Sequence, residues 1–552
     1  MRLQILAFLF LVMACFNAFA QAGDQAAVIG VKHVLVIGID GLSPDGIRQA
    51  ATPHIDQLIK EGAATMHARG VLPSSSSPNW ASMIMGAGPE QHGITSNAWE
   101  RDDFILPAIA GDRGGFFPTI FTLLHDQRPT AEVGAIYHWE GFGRLFDSTD
   151  VSFHVAPPSE EATAEIAAQY LQEKKPSFCF VHLDHVDGAG HSKGHGSPAY
   201  YQSVSKADTL IGIILEALKA ADMAESTLVI LTADHGGVGF GHGGETLAEL
   251  EIPFILWGKG VKKGYQIVGN VNTIDNAVTV AFALNLRVPQ AWVGRPVKEA
   301  FVGFDSPVLT YPTKELLQQP IIHPKKIGFE PAGGLFLDSF PSLNITNPNE
   351  TGVIRYTLNG QKPDLDAPIF TSPIKLQKTT VVQAAIFDNQ SKRSKEAVAY
   401  FRIQHPNRAQ GIHYRAFKVA GIDKLPDFNQ LKESNSGQTH EFTLDKLVLP
   451  QEEQVAVLFT SFLQIDKKGE YQFYLASDDG SQLLLDGQLV VDNDGDHGVL
   501  ERSGKLTLDR GRHEIMVRWF NGGGGKELYA YFKGPGIPKQ LIPPNILYVN
   551  KQ

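Results

Sequence analysis

Six residues in the first half of the chain, Asp40, Asp187, His191, Asp234, His235 and His242, are carboxylates and imidazoles of the kind that ligate transition metals. Such oxygen and nitrogen donors together suit Zn2+, with Mn2+ or Fe2+ less favoured. Between Asp40 and Asp187 lies Leu72-Pro-Ser-Ser-Ser-Ser-Pro-Asn-Trp80, four consecutive hydroxyls followed by Pro78 and Asn79. A serine hydroxyl is a poor nucleophile near neutral pH and needs a base or a metal to activate it. Two metal ions about 4 Å apart can do so and can stabilise both the attacking and the leaving oxygen of an in-line displacement. Each piece alone has a bland explanation: a serine run is a turn, an Asp after a strand a turn residue, a glycine-flanked His a loop residue. Their joint placement on one scaffold is what points to chemistry.

The elements that must position them read as alternating strands and helices over 27–305. His33-Val-Leu-Val-Ile-Gly-Ile39 is a continuous apolar run ending at Asp40-Gly41. Phe178 to Leu183, Leu228 to Leu231 and Ile252 to Trp257 read as further strands, and Asp187 and Asp234-His235 follow the first two of these. Helices are expected over Pro53 to Gly62, Ser197 to Ala221 and Thr273 to Leu284. Ser is a preferred N-cap and Pro a preferred first helical residue, so the serines should sit at a helix N-terminus, where free N–H groups favour an anion. Such alternation implies a doubly wound, mostly parallel α/β sheet, whose ligands bind beyond the carboxyl ends of the strands.

The 552 residues exceed one ordinary domain. A formal net charge of −11 excludes a general nucleic-acid polymer binder but suits a small anionic substrate if metal ions supply local positive charge. Residues 1–20 read as a signal peptide: Met1-Arg2, an apolar core from Ile5 to Ala14, and Ala18-Phe19-Ala20 before Gln21. The chain is therefore expected to be exported, to the periplasm or the cell surface. A lipoprotein anchor through Cys15 in Val12-Met13-Ala14-Cys15 is a less favoured alternative. Beyond Cys15 the chain keeps only Cys179, which leaves no disulfide framework, and no later stretch reads as a membrane helix.

After a proline-rich linker at 306–326, short strands and turn signals over 327–405 suit a β-sandwich. Tyr356-Thr-Leu-Asn-Gly-Gln-Lys-Pro363 resembles an element of the immunoglobulin-like modules that end many chitobiases and hexosaminidases. Residues 411–549 read as a further all-β module. Tyr471 to Leu475, Ala476-Ser-Asp-Asp-Gly-Ser481, Leu483 to Asp492 and Asn493-Asp-Gly-Asp-His-Gly498 resemble the protective-antigen-type, lectin-like β-barrel. Some members of that family bind sugars through Ca2+ held by adjacent aspartates, which here are Asp478 and Asp479; hard oxygen ligands on a tight turn suit calcium, and Asp-Asp-Gly is equally an ordinary hairpin turn. The resemblance implies a glycan-targeting role.

The order of motifs in the first domain resembles the alkaline phosphatase superfamily, and most of all its type I phosphodiesterase/nucleotide pyrophosphatase branch. That branch has an Asp after the first strand, a nucleophile-x-Pro-Asn loop, Asp-x-x-x-His, Asp-His-Gly and a late His. The resemblance implies two Zn2+, one held by Asp187, His191 and His242 and the other by Asp40, Asp234, His235 and the nucleophile. It picks Ser76 as the nucleophile, with Ser77 next, and gives Asn79 a hydrogen bond to a phosphoryl oxygen. It implies hydrolysis of a phosphate ester through a phosphoseryl intermediate. Trp80 stands where formylglycine sulfatases carry Arg. Trp80, Trp99, Tyr137, His138, Trp139 and Arg144 are candidates for lining a leaving-group pocket, with core packing expected for most of them, and His182, His185 and His195 are read as neighbours. A phosphomonoesterase, a phosphoethanolamine-type transferase, and a carbohydrate-binding or adhesion protein with an inactive first domain are the competing readings.

Overall fold

The computed structural model describes residues 28–550 apart from 113, 310, 312–316, 325–330, 350, 389–392, 406–408 and 524. The expected signal peptide, Cys15 and part of the linker lie outside the described residues. The chain divides into two compact units. The first comprises residues 1–188, 201–236 and 243–309, and the second Ala189–Tyr200, Gly237–His242 and Thr310–Gln552.

The first unit is built on one eight-stranded sheet. In chain order its strands are β1 (His33–Ile39), β2 (Ala63–Arg69), β3 (Val133–Tyr137), β4 (Phe153–Val155), β5 (Phe178–Leu183), β6 (Thr227–Thr232), β7 (Glu251–Gly258) and β8 (Tyr265–Gln266). Their order across the sheet is β4-β3-β5-β1-β6-β7-β2-β8. The block β4-β3-β5-β1-β6 is parallel throughout. Its central strands β1, β5 and β6 are apolar on both faces because helices cover both, and nearly all of their residues are buried. Helices Pro53–Glu61, Pro198–Ala220 and Asp275–Ala283 fall where the sequence pattern places them.

One strand departs from the expected βα alternation. β7 runs antiparallel to β6. A parallel partner needs a crossover to the far edge of the sheet, whereas here the chain leaves β6, forms the loop that carries His235 and His242 and one helical turn at Leu247–Leu250, and re-enters beside the strand it left.

The second unit is all-β over its C-terminal part. A four-stranded and a three-stranded sheet enclose Ile345, Ile354, Val382, Ile386 and Phe401. A seven-stranded and a four-stranded sheet enclose a larger core that includes Trp519, Phe459, Tyr471, Phe473 and Leu485. Burial alternates along Ser481–Leu485 and from Ile515 to Trp519, as two-layer packing requires.

Candidate active site

Ser76 opens the helix Ser76–Met85, with Ser75 in extended conformation at its N-cap. The expectation that Pro78 is the first helical residue is corrected by two positions: the helix starts at Ser76, and Pro78 is still within the first turn, where no N–H is needed. The Ser76 hydroxyl lies 3.3 Å from Nε2 of His235. Ser77, the other candidate nucleophile, is wholly buried, and its Oγ has no hydrogen-bond partner. Ser74 ties the serine loop to the loop after His242, donating to the Gly244 carbonyl at 2.6 Å and accepting from the Gly243 N–H at 3.1 Å.

The exits of β1 and β6 deliver Asp40, Asp234 and His235 to one buried spot, with a ligand atom of each lying within 4.8 Å of the others. His235 places Nδ1 2.8 Å from the Gly236 carbonyl, which requires a proton on Nδ1, so that the neutral ring carries its lone pair on Nε2. That lone pair faces Asp234 Oδ2 at 3.1 Å and Asp40 Oδ1 at 3.4 Å. Among the described residues neither oxygen has a hydrogen-bond partner. Burial, with the charges of Asp40 and Asp187 adding to it, pushes the Asp234 carboxyl well above the usual carboxylate range. Lone pairs converging in a water-excluded site repel unless a cation lies among them. The donor set therefore fits a divalent metal.

Gly41 closes this corner. Its φ is +68°, and a Cβ there would lie 2.9 Å from Asp187 Oδ1. Its N–H donates to Asp234 Oδ1 at 3.1 Å. Asp187 and His191 lie one turn apart on the helix His185–Lys193. In the second unit His191 pairs with His242, ring centroids 5.0 Å apart, and places Nδ1 2.7 Å from the Phe240 carbonyl. That bond sets its tautomer as the Gly236 carbonyl sets that of His235.

The structure corrects the role expected of Asn79. Its amide nitrogen points to the carbonyls of Ser75, Pro73 and Val71 at 2.9, 3.1 and 3.4 Å, and its oxygen accepts the Val71 N–H at 2.7 Å. A wholly buried amide with every valence engaged braces the serine loop and has no donor left for a substrate. Sequence spacing gave it the right place but not the direction of its side chain. Asn97, which the sequence reading passed over, accepts the Ser77 N–H through Oδ1 at 2.8 Å, and it is exposed. Arg144 holds that segment by donating to the carbonyls of Asn97 and Trp99 and to Glu100. Trp80 and His182 are both buried against Asp40. No local pattern in the sequence marks Asn97 or His182.

In the C-terminal module Asp479 accepts the Gly522 N–H at 2.8 Å and the His497 N–H at 3.0 Å, tying two loops together. Asp478 stands opposite Glu527 across paired strands.

Residues 34–241 match the family described as type I phosphodiesterase / nucleotide pyrophosphatase, residues 331–399 the chitobiase/beta-hexosaminidase C-terminal domain, and residues 435–546 the PA14 domain. The first domain is thus similar in sequence to the phosphodiesterases and nucleotide pyrophosphatases. The chain is 23% identical over 253 residues to ectonucleotide pyrophosphatase/phosphodiesterase family member 5 of Homo sapiens, covering 43% of this chain and 50% of that one. It is 26% identical over 214 residues to the Homo sapiens protein named Bis(5'-adenosyl)-triphosphatase ENPP4, covering 37% and 47%. It thus spans half or less of the curated relatives described here. The murine member 5 structure in complex with AMP aligns at a TM-score of 0.43 and 17% identity, covering 49% of this chain and all of that one. The matched residues 34–241 lie on the eight-stranded α/β sheet, and the two later matches fall on the all-β part of the chain.

Proposed function

We propose that this chain is an exported phosphoric ester hydrolase of phosphodiesterase or pyrophosphatase type, working through a phosphoseryl intermediate. The observation that carries this reading is the convergence of the Ser76 hydroxyl, the Nε2 lone pair of His235 and two carboxylate oxygens without donors on one buried spot. Asp40, Asp234 and His235 would hold one Zn2+, and Asp187, His191 and His242 a second. Bound there, the ions would supply charge neutralisation for the phosphoryl group and lower the pKa of the serine hydroxyl. Ser76 Oγ attacks phosphorus in line, a Ser–O–P bond forms, and the bond to the leaving oxygen breaks. A water then attacks the same phosphorus, regenerating Ser76 and releasing the phosphoryl product. The helix N-terminus at Ser76 favours the anionic group, and Asn97, anchored through its oxygen, offers its amide nitrogen to a phosphoryl oxygen. Asn79 keeps the loop in shape.

The β modules would keep the enzyme near glycans, with the Asp478-Asp479 turn as the proposed calcium position; glycan-array binding of the full chain with and without chelator tests this. N-terminal sequencing of the secreted protein tests cleavage after Ala20.

The catalytic reading is tested with Zn2+ on nitrophenyl substrates, comparing a phosphodiester, a phosphomonoester and a sulfate ester. Diester-selective turnover that Ser76→Ala abolishes is the expected result. Monoester preference would move the chain to the phosphatases. Zinc bound without turnover of any ester would favour a transferase or a binding protein with an inactive first domain.

A further inference from the structure

Two nitrogen donors meet at one oxygen of Asp40. The parallel register of β1 and β5 sets Gly38 beside His182, so the two share a face of the sheet, and Asp40 lies two residues beyond Gly38, just past the end of β1. A Cβ at Gly38 would lie 2.5 Å from the Trp80 ring; a glycine there is what lets the indole rest against the strand. From that seat Trp80 donates Nε1–H to Asp40 Oδ2 at 3.0 Å, while His182 Nε2 lies 3.2 Å from the same atom. All three side chains are buried. The His182 ring is held edge-on to Trp80 and stacked on Phe142, with centroids 4.7 and 5.8 Å away. For its contact with an ionised carboxylate to be attractive, His182 must carry its proton on Nε2.

Asp40 is therefore divided between its two oxygens. Oδ2 takes both donors, and Oδ1 takes none and faces His235. We infer that His182 and Trp80 are positioning residues that hold Asp40 through Oδ2, so that Oδ1 is the atom presented to the cation beside His235 and Ser76. The inference rests on the metal site proposed above and concerns residues that the nucleophile and ligand motifs do not contain. A carboxylate free to turn about its last torsion would present either oxygen, or both, and the geometry at Ser76 would vary with it. Two N–H donors on one oxygen fix the orientation of the carboxylate and leave its other oxygen for the cation. Partners of this kind characteristically change metal affinity about 10–100-fold when removed.

A rival arrangement is present: ligand atoms of Asp40, His182 and Asp184 also lie within 4.8 Å of one another, which would make His182 a ligand. The experiment is Zn2+ retention by the full chain, read by competition with a chromophoric chelator and by metal content at saturation. It compares the wild type with His182→Phe, Trp80→Phe and His182→Gln. Both Phe variants keep a ring in place and remove one donor, so either serves if the other does not fold. The expected result is about 10–100-fold weaker retention in the Phe variants, largely recovered in His182→Gln, with unchanged zinc at saturation. Wild-type affinity in His182→Phe and Trp80→Phe would overturn the inference. So would one zinc fewer at saturation in His182→Phe, because the histidine would then be a ligand. Absence of zinc from the wild type would instead sink the metal-site reading itself.

Discussion

Buried acids at strand ends occur in both units, and they end up in different chemical states. Asp40 and Asp234 in the first unit each give one oxygen to local donors and keep the other for a spot shared with His235 and Ser76. Asp479 in the second unit spends both oxygens on backbone N–H groups, and its neighbour Asp478 faces another acid, Glu527. The difference lies in what surrounds each carboxylate. Where backbone donors satisfy it, an Asp is a loop tie. Where two carboxylates and an imidazole lone pair are left to face one another, the site asks for a cation.

The sharpest way to break this comparison is to remove the serine. Ser76→Ala should lower ester turnover by at least about a thousandfold while zinc content stays that of the wild type. Comparable activity in the variant would show that the cluster does not activate Ser76.

A second test removes the cation. Burial and neighbouring charge make folded Asp234 hold its proton more tightly than the unfolded chain, which releases it near 3.8. The contribution of Asp234 to the stability of the metal-free protein should therefore be greatest at low pH and fall as pH rises above that value, by up to about 1.4 kcal/mol per pH unit. Zn2+ should restore it, and Asp234→Asn should flatten the dependence while weakening zinc binding. Thermal melts across pH, with and without chelator, read all three effects.

Asp479→Ala leaves two backbone donors of the second unit without their acceptor and should cost about 1–3 kcal/mol there, seen as a lower denaturant midpoint. Turnover of soluble esters should not change.

The mildest effect belongs to Asp478 and Glu527. Burial, followed by the charge of Glu527 on one and of Asp445 on the other, pushes them up to about 8 and about 7. The second unit should lose stability as pH rises from about 4 through 8, and Glu527→Gln should reduce that slope, measured by melts of the full chain. Recovery on adding Ca2+, matching what Zn2+ does in the first unit, would make the two acidic regions alike and erase the contrast.

Much of the scaffold was legible because burial on both faces leaves unbroken apolar runs: His33–Ile39, Phe178–Leu183 and Thr227–Thr232 are all of this kind. β2 was not legible, since Ala63-Ala-Thr-Met-His-Ala-Arg69 has neither a continuous apolar run nor clean alternation. The direction of β7 was hidden too, because strand sense depends on where the preceding loop returns and not on the strand's own residues. In the site, residues that touch one another through sequence neighbours, such as Asp234 and His235, could be read. Trp80 and His182 could not, because their contact with Asp40 exists only through the β1–β5 register and the space left at Gly38.

The antiparallel return from β6 to β7 has an evolutionary side. The loop between them begins and ends on adjacent strands of one sheet, so its two anchor points stay fixed whatever its length. Residues inserted between His242 and Glu251 would enlarge the rim without re-threading the sheet or shifting Asp234 and His235 at its root. A lineage could vary that loop alone, with the sheet and the acids at its strand ends inherited intact.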